Sequence, residues 1–209
     1  PARKPRLAVF GGTFDPIHNG HLFIAGEILR LDLSDELLFI PARIPPHKQD
    51  QPLSAPQTRL AMLQLALEPY PKFGISDIEL NREGEPSYTI ETMETLAAAF
   101  PGHDLCFVMG MDSLAELHLW YHAGELVSKH QWLIYPRTGV AAPPFATLAT
   151  RFGARNARKL VNSILSTPTF PVSATRIREL AATSQSLAGL VPAAIETYIR
   201  EHKLYTEST

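Results

Sequence analysis

The sequence predicts a doubly wound α/β fold: a parallel sheet with helices on both faces and a small C-terminal helical part. Three observations carry that expectation. Short apolar runs alternate with longer segments whose apolar residues recur at the helical period. The runs are rich in Leu, Ile, Phe and Val, as strands buried on both faces are. Glycines end two of them, Gly11-Gly12 and Gly110, where open parallel sheets bind ligands.

Taken in order, residues 7–10, 36–40, 73–80, 104–109, 131–135 and 169–172 read as strands. Between them, residues 21–31 place Leu22, Ile24, Ala25, Ile28 and Leu29 on one helical stripe. Residues 56–67 repeat the pattern with Leu60, Leu63 and Leu67, and residues 89–100 with Ile90, Met93, Leu96 and Ala97. Strands alternating with helices imply right-handed crossovers and a Rossmann-like parallel sheet. Two helices close the chain, 174–183 and 192–202; Pro192 suits a first helical turn ahead of the stripe Ile195, Tyr198 and Ile199. Residues 41–56 and 137–144 read as long loops, of the kind that often serve as lids or binding loops. No repeat or linker interrupts the pattern, so residues 1–209 read as one domain, with 172–209 as a candidate helical subdomain.

Composition narrows the function. The chain has 209 residues, 45% apolar and 19% charged, which is the profile of a soluble globular protein. It contains no signal-peptide pattern and no apolar run near the ~20 residues that span a bilayer. A net charge of -2 argues against a nucleic-acid partner, which calls for a basic face. Local basic sites such as residues 43–48 and 176–178 suit a small phosphate-bearing molecule instead. The single cysteine, Cys106, lies in D-L-C-F-V-M and reads as a buried thiol, with no intrachain disulfide. The expectation is a cytoplasmic protein with no membrane partner; oligomeric state is left open, with a homo-oligomer among the options.

The chemistry concentrates in F-G-G-T-F-D-P-I-H-N-G-H-L, Phe10 to Leu22. Gly11-Gly12 lets backbone N–H groups approach an anion with no side chain between. His18 falls just before a helix that Asn19 or Gly20 opens, where free N–H groups and the helix dipole favour phosphate. His18 and His21, three apart, share a helix face and can address the same anion.

This stretch resembles the His-Ile-Gly-His signature of the nucleotidyltransferase superfamily related to class I aminoacyl-tRNA synthetases. V-S-A-T-R-I-R is similar to its second signature, with Ser173, Thr175 and Arg178 in place. P-P-H-K, R-L-A-M, P-S-Y-T-I-E-T, G-M-D-S-L-A-E-L-H-L-W and the tail L-V-P-A-A-I-E-T-Y-I-R-E-H-K-L-Y resemble the bacterial nicotinate-mononucleotide adenylyltransferases. The motifs run in order over nearly the whole chain. One departs from the pattern: R-T-G at residues 137–139 stands where that family often has Arg-Pro-Gly.

The resemblance implies that ATP and nicotinate mononucleotide give nicotinate adenine dinucleotide and pyrophosphate. The nucleophile would be a phosphate whose second pKa is about 6, so no protein base is needed. It implies a catalytic set of His18, His21, Lys48 and Arg178. ATP would be held by Gly11, Gly12, Thr13, Phe14, both histidines, Gly110, Asp112, Ser173, Thr175 and Arg178. Nicotinate mononucleotide would be held by Thr13, Lys48, Tyr88, Thr89, Trp120 and Arg137. Mg²⁺ would arrive on the ATP phosphates, with no protein-ligated metal.

Each assignment has a plainer reading. Ser173 also suits an ordinary N-cap and Arg178 a solvated cation. Asp112 reads as a ribose acceptor or a cap, Trp120 as a stacking plane for pyridine or a core residue. Tyr88 and Thr89 open a helix that either receives a carboxylate or is simply capped. His103, His118, His122, His130 and His202 form no metal-binding spacing. An enzyme adenylylating phosphopantetheine is disfavoured, because that family usually has threonine at the position of His18 and a shorter chain. A tRNA synthetase is disfavoured by size and by the missing Lys-Met-Ser-Lys signature. A nicotinamide-preferring enzyme and a non-catalytic nucleotide-binding regulator stay open.

Overall fold

The computed structural model describes residues 3–43, 53–82 and 87–206. Five parallel strands form one sheet: β1 (Arg6–Gly12), β2 (Glu36–Pro41), β3 (Phe73–Ile75), β4 (Asp104–Gly110) and β5 (Gln131–Tyr135). Their order is β3-β2-β1-β4-β5. The chain builds outward from β1 on one side, then returns to add β4 and β5 on the other. The switch point lies between β1 and β4, where Leu7 pairs with Leu105 and Phe10 with Val108. Sites in such sheets open at the carboxyl ends of the strands there.

Alternate residues of each strand point to opposite faces. Ala8, Phe10, Leu37, Phe39, Cys106 and Val108 face a core shared with α1 (Asn19–Arg30), α2 (Pro56–Leu67), α8 (Ala174–Ala182) and α9 (Ala193–Glu201). Leu7, Val9, Leu38, Ile40, Phe107 and Met109 face the other. That second core is closed by α3 (Thr89–Ala99), α4 (Met111–Glu116), α5 (Ala123–Lys129), α6 (Phe145–Phe152) and α7 (Ala154–Asn162). Both faces are covered, which is why β1, β2, β4 and β5 carry nearly continuous apolar runs. Among the described residues no helix is long and apolar enough to cross a membrane.

Two sequence-based expectations are corrected. Residues 169–172 form no strand. Pro168 precedes the stretch and Pro171 lies inside it, and neither has an N–H to give a ladder. The chain touches the sheet earlier: the Leu165 N–H donates to the Ile134 carbonyl at 2.8 Å, and the Ile134 N–H donates to Ser163 at 2.9 Å. Nor does β3 run to Leu80. It stops at Ile75, and residues 77–81 turn, with the Asn81 N–H on the Asp77 carbonyl at 3.1 Å.

The face that α2 buries also differs from its apolar stripe. Arg59, Met62, Leu63, Ala66 and Leu67 are buried. The Arg59 guanidinium, 1% exposed, donates to the carbonyls of Thr13 (2.9 Å), Ala42 (2.6 Å), Arg43 (3.2 Å) and Ser54 (3.1 Å). A buried cation costs several kcal/mol unless its donors are used. Here they tie the loop after β1 to the loop after β2 and to the entry of α2.

Candidate active site

Helices that begin at the carboxyl end of the sheet border the site, among them α1 after β1, α4 after β4, α3 and α8. His18 is the N-cap of α1, and its N–H donates to Nδ1 of His21 at 3.3 Å. A ring nitrogen that accepts is unprotonated, so the His21 proton sits on Nε2 as a donor. Phe10 and Phe14 meet the His21 ring edge-on at centroid distances of 5.9 and 5.0 Å, fixing its plane. The two imidazoles stack at 3.6 Å, a separation that opposes two positive charges.

Burial keeps the His18 ring neutral as well. His18 is 5% exposed; burial, with the Arg137 charge adding to it, pushes its pKa from 6.5 to about 3. The folded protein therefore holds His18 neutral, while the unfolded chain takes up a proton below about 6.5. Stability from this residue is present above that pH and is lost as pH falls from 6.5 towards 3. Between about pH 7.5 and about pH 5 the loss is about 2 kcal/mol. Urea unfolding at both pH values should show that extra loss in the parent and not in His18→Gln. Equal losses in the two proteins would place the proton elsewhere.

Gly20 explains why the two signatures sit together. A Cβ there would lie 2.6 Å from Cγ1 of Val172, in the second motif, and 3.1 Å from the His18 ring. Gly110, at the end of β4, has the same role opposite: a Cβ would meet the Asp112 carboxylate at 2.3 Å and Arg137 Nε at 3.0 Å. Asp112 and Arg137 approach at 3.2 Å, and Arg137 also donates to the Tyr135 hydroxyl at 3.2 Å. Ser173 caps α8, accepting from the Arg176 N–H at 3.2 Å. Its cap reading holds, and the residue lines the cleft as well. Arg178 donates to the Asp15 carbonyl at 2.8 Å and to Thr175 Oγ1 at 3.4 Å.

These groups border two cavities. The first, about 600 Å³, runs from Gly11, Gly12, Thr13 and Phe14 past Thr175 and Arg178 to Tyr88, Thr89 and Trp120. The second, about 480 Å³, is bounded by Phe170, Val172, Val140 and Leu190. His18, His21, Asp112, Tyr135, Arg137 and Ser173 border both. The histidine pair thus stands at the junction. Phe14 contributes backbone more than ring, because its side chain is 2% exposed and packed beneath Gly12.

At the far end of the first cavity, Tyr88 is the N-cap of α3, and no side chain caps that helix among the described residues. The Tyr88 and Tyr121 rings pack at a tilt with centroids 4.4 Å apart, and Trp120 stands edge-on to Phe107 at 6.1 Å. Beneath them the buried Glu79 accepts from the Thr92 hydroxyl at 2.7 Å; burial raises its pKa. Lys48 lies outside the described residues. Among the described residues no group of three His, Cys, Asp or Glu side chains is placed to hold a metal.

The apolar wall of the second cavity escaped the sequence reading, although Val172 stands inside a quoted motif. Asp15, Arg59 and Tyr205 escaped as well. Each falls in a quoted stretch, but nothing local shows what it bonds.

Comparison with known proteins agrees with this architecture. The cytidylyltransferase-like family model matches residues 9–180. A probable nicotinate-nucleotide adenylyltransferase of Symbiobacterium thermophilum is 40% identical over 200 residues, covering 96% of this chain and 95% of that protein. A protein of the same name from Geobacillus kaustophilus is 37% identical, covering 98% and 88%. The structure of Plasmodium falciparum nicotinic acid mononucleotide adenylyltransferase complexed with NaAD superposes with a TM-score of 0.77 at 17% identity, over 96% of this chain and 97% of that one; at that identity the likeness speaks for the fold. With both signatures bordering one cleft and relatives of this identity over nearly the full length, the chain belongs to the cytidylyltransferase-like family of nucleotidyltransferases and, within it, to the nicotinate-nucleotide adenylyltransferases.

Proposed function

We propose that this chain transfers the adenylyl group of MgATP to the phosphate of nicotinate mononucleotide, giving nicotinate adenine dinucleotide and pyrophosphate. The observation that carries the reading is the pair of cavities meeting at His18 and His21. A reaction that joins two nucleotides needs two pockets and a shared point where their phosphates meet. A phosphate oxygen of the mononucleotide attacks the α-phosphorus, the bond from that phosphorus to the bridging oxygen of the β-phosphate breaks, and the electron pair leaves with pyrophosphate. The attacking phosphate is already ionised near neutrality, so no residue has to remove a proton. The protein's task is to align two anions and meet charge as it develops.

In this proposal the adenosine lies along the second cavity, and its triphosphate crosses the start of α8. Gly11, Gly12 and Thr13 give backbone N–H groups. His21 gives its Nε2–H, and neutral His18 gives a hydrogen bond without adding charge. Gly110 leaves room at the end of β4. Asp112 takes the ribose hydroxyls when its pairing with Arg137 loosens. Ser173, Thr175 and Arg178 hold the β- and γ-phosphates. The mononucleotide occupies the first cavity, its ring on Trp120 and its carboxylate at Tyr88 and Thr89; Arg137, Thr13 and Lys48 serve its phosphate. Among the described residues no three His, Cys, Asp or Glu side chains are placed to hold a metal; in this reading Mg²⁺ is carried on the ATP phosphates, whose charge it would neutralise.

Pyrophosphate release tests the reading. ATP and Mg²⁺ should give turnover with nicotinate mononucleotide, and far less with nicotinamide mononucleotide or phosphopantetheine. Nucleotide binding without pyrophosphate release on any acceptor would make the chain a binding protein. Arg178→Lys keeps the charge but loses the planar fork. It should weaken ATP roughly tenfold, as loss of a charged hydrogen bond does, and leave the mononucleotide nearly unaffected. Equal weakening of both ligands, measured by calorimetry, would put Arg178 elsewhere.

A further inference from the structure

Asp15 sits between the glycine turn and His18 and is 3% exposed. Its Oδ1 accepts from the Tyr205 hydroxyl at 2.6 Å and its Oδ2 from the Ser54 N–H at 3.0 Å. Its backbone carbonyl accepts from Arg178 at 2.8 Å. One residue thus joins the entry of α2, the helix α8 and the segment after α9. Tyr205, with φ of 63°, reaches a partner 190 residues earlier in the chain. It is absent from the lining of both cavities, whereas Asp15 and Arg178 border the first.

We infer that Tyr205 is a positioning residue for the ATP-phosphate end of the cleft, acting on Arg178 through Asp15. The inference rests on the proposed adenylyl transfer, in which Arg178 holds the triphosphate. The Asp15 carbonyl is a fixed acceptor for the guanidinium only if its own residue is held. The side chain supplies that hold through two hydrogen bonds, one of them from the phenol. Burial, and then the Asp15 charge, raise the Tyr205 pKa, so the phenol stays a donor over the working pH range. Arg59 belongs to the same cluster, fastening the Thr13 and Ser54 carbonyls on either side of Asp15. Small displacements of a group that aligns phosphate carry large rate costs.

Tyr205→Phe removes one O–H group and little else. ATP affinity, measured by calorimetry with no mononucleotide present, should weaken roughly tenfold in this variant, while mononucleotide affinity, measured the same way without ATP, stays within about twofold. In an Arg178→Lys background the same change should weaken ATP by less than about twofold, because both substitutions cut one path. Asp15→Asn keeps the side chain's shape and weakens its bonds; it should show the same ATP-specific loss if Tyr205→Phe cannot be recovered folded. A lowered melting temperature with unchanged ATP affinity would make Tyr205 merely structural and overturn the inference. So would equal losses in both Arg178 backgrounds. The affinities are read without turnover, so a parent that binds ATP yet adenylylates no nicotinate mononucleotide would overturn the proposed reaction alone.

Discussion

Replacing His21 with alanine is expected to slow adenylyl transfer by ~10²–10³ while ATP binding stays within a few-fold, the cost typical of losing one preorganised donor to developing charge. The reason lies in how the ring is held. Its Nδ1 accepts from the His18 N–H, and Phe10 and Phe14 fix its plane, so in the proposed reaction the ring needs little reorganisation to serve as a donor. A donor that does not have to reorganise acts mainly on the transition state, which lowers kcat more than affinity. Single-turnover rates and ATP calorimetry on His21→Ala separate the two effects. A near-parental rate would remove His21 from the chemistry.

The largest expected effect concerns the acceptor. Nicotinate and nicotinamide mononucleotides differ in one group: a carboxylate only accepts hydrogen bonds, whereas an amide also donates. The far end of the first cavity offers the start of α3, uncapped by side chains among the described residues, and the Thr89 hydroxyl. Backbone N–H donors and the positive end of the helix dipole favour a carboxylate there and oppose an amide NH₂, itself a donor. Polar mispairing of this kind reaches ~10⁴ in kcat/KM, and that preference for the acid is expected. Thr89→Val should narrow the ratio only partly, because the N–H groups remain. Trp120→Ala should weaken both substrates together, since either ring stacks. Comparable kcat/KM for acid and amide in the parent would overturn the acceptor assignment and leave adenylyl transfer standing.

The parts of the fold that were legible in the sequence share a cause. The strands β1, β2, β4 and β5 and the helices α1, α2 and α3 each present a run or stripe long enough to show its period. The helices α4 and α5, six and seven residues each, gave too few turns for a period to stand out, and α6 and α7 were missed although they are about as long as α8 and α9. Residues 169–172 show the reverse error, an apolar stretch whose prolines bar it from the sheet. At the site, the glycine turn, the histidine pair and the α8 start were readable because each keeps its chemistry within a few residues. Arg59 was not, since its role depends on carbonyls at Thr13, Ala42, Arg43 and Ser54 that only the folded chain assembles. The Asp15–Tyr205 contact spans 190 residues, and no local pattern announces it. The plainer reading of Ser173 as a cap also holds in geometry, whereas Tyr88 occupies the N-cap position of α3 without a side-chain hydrogen bond to the helix.

The fate of the α-phosphorus decides whether transfer is direct. With ATP labelled at that atom, Mg²⁺ and nicotinate mononucleotide, the label is expected to move into the dinucleotide in step with pyrophosphate release and never onto the protein. Label retained in ATP while the mononucleotide is bound, or label trapped on the chain, would contradict direct transfer between two nucleotides across the histidine pair.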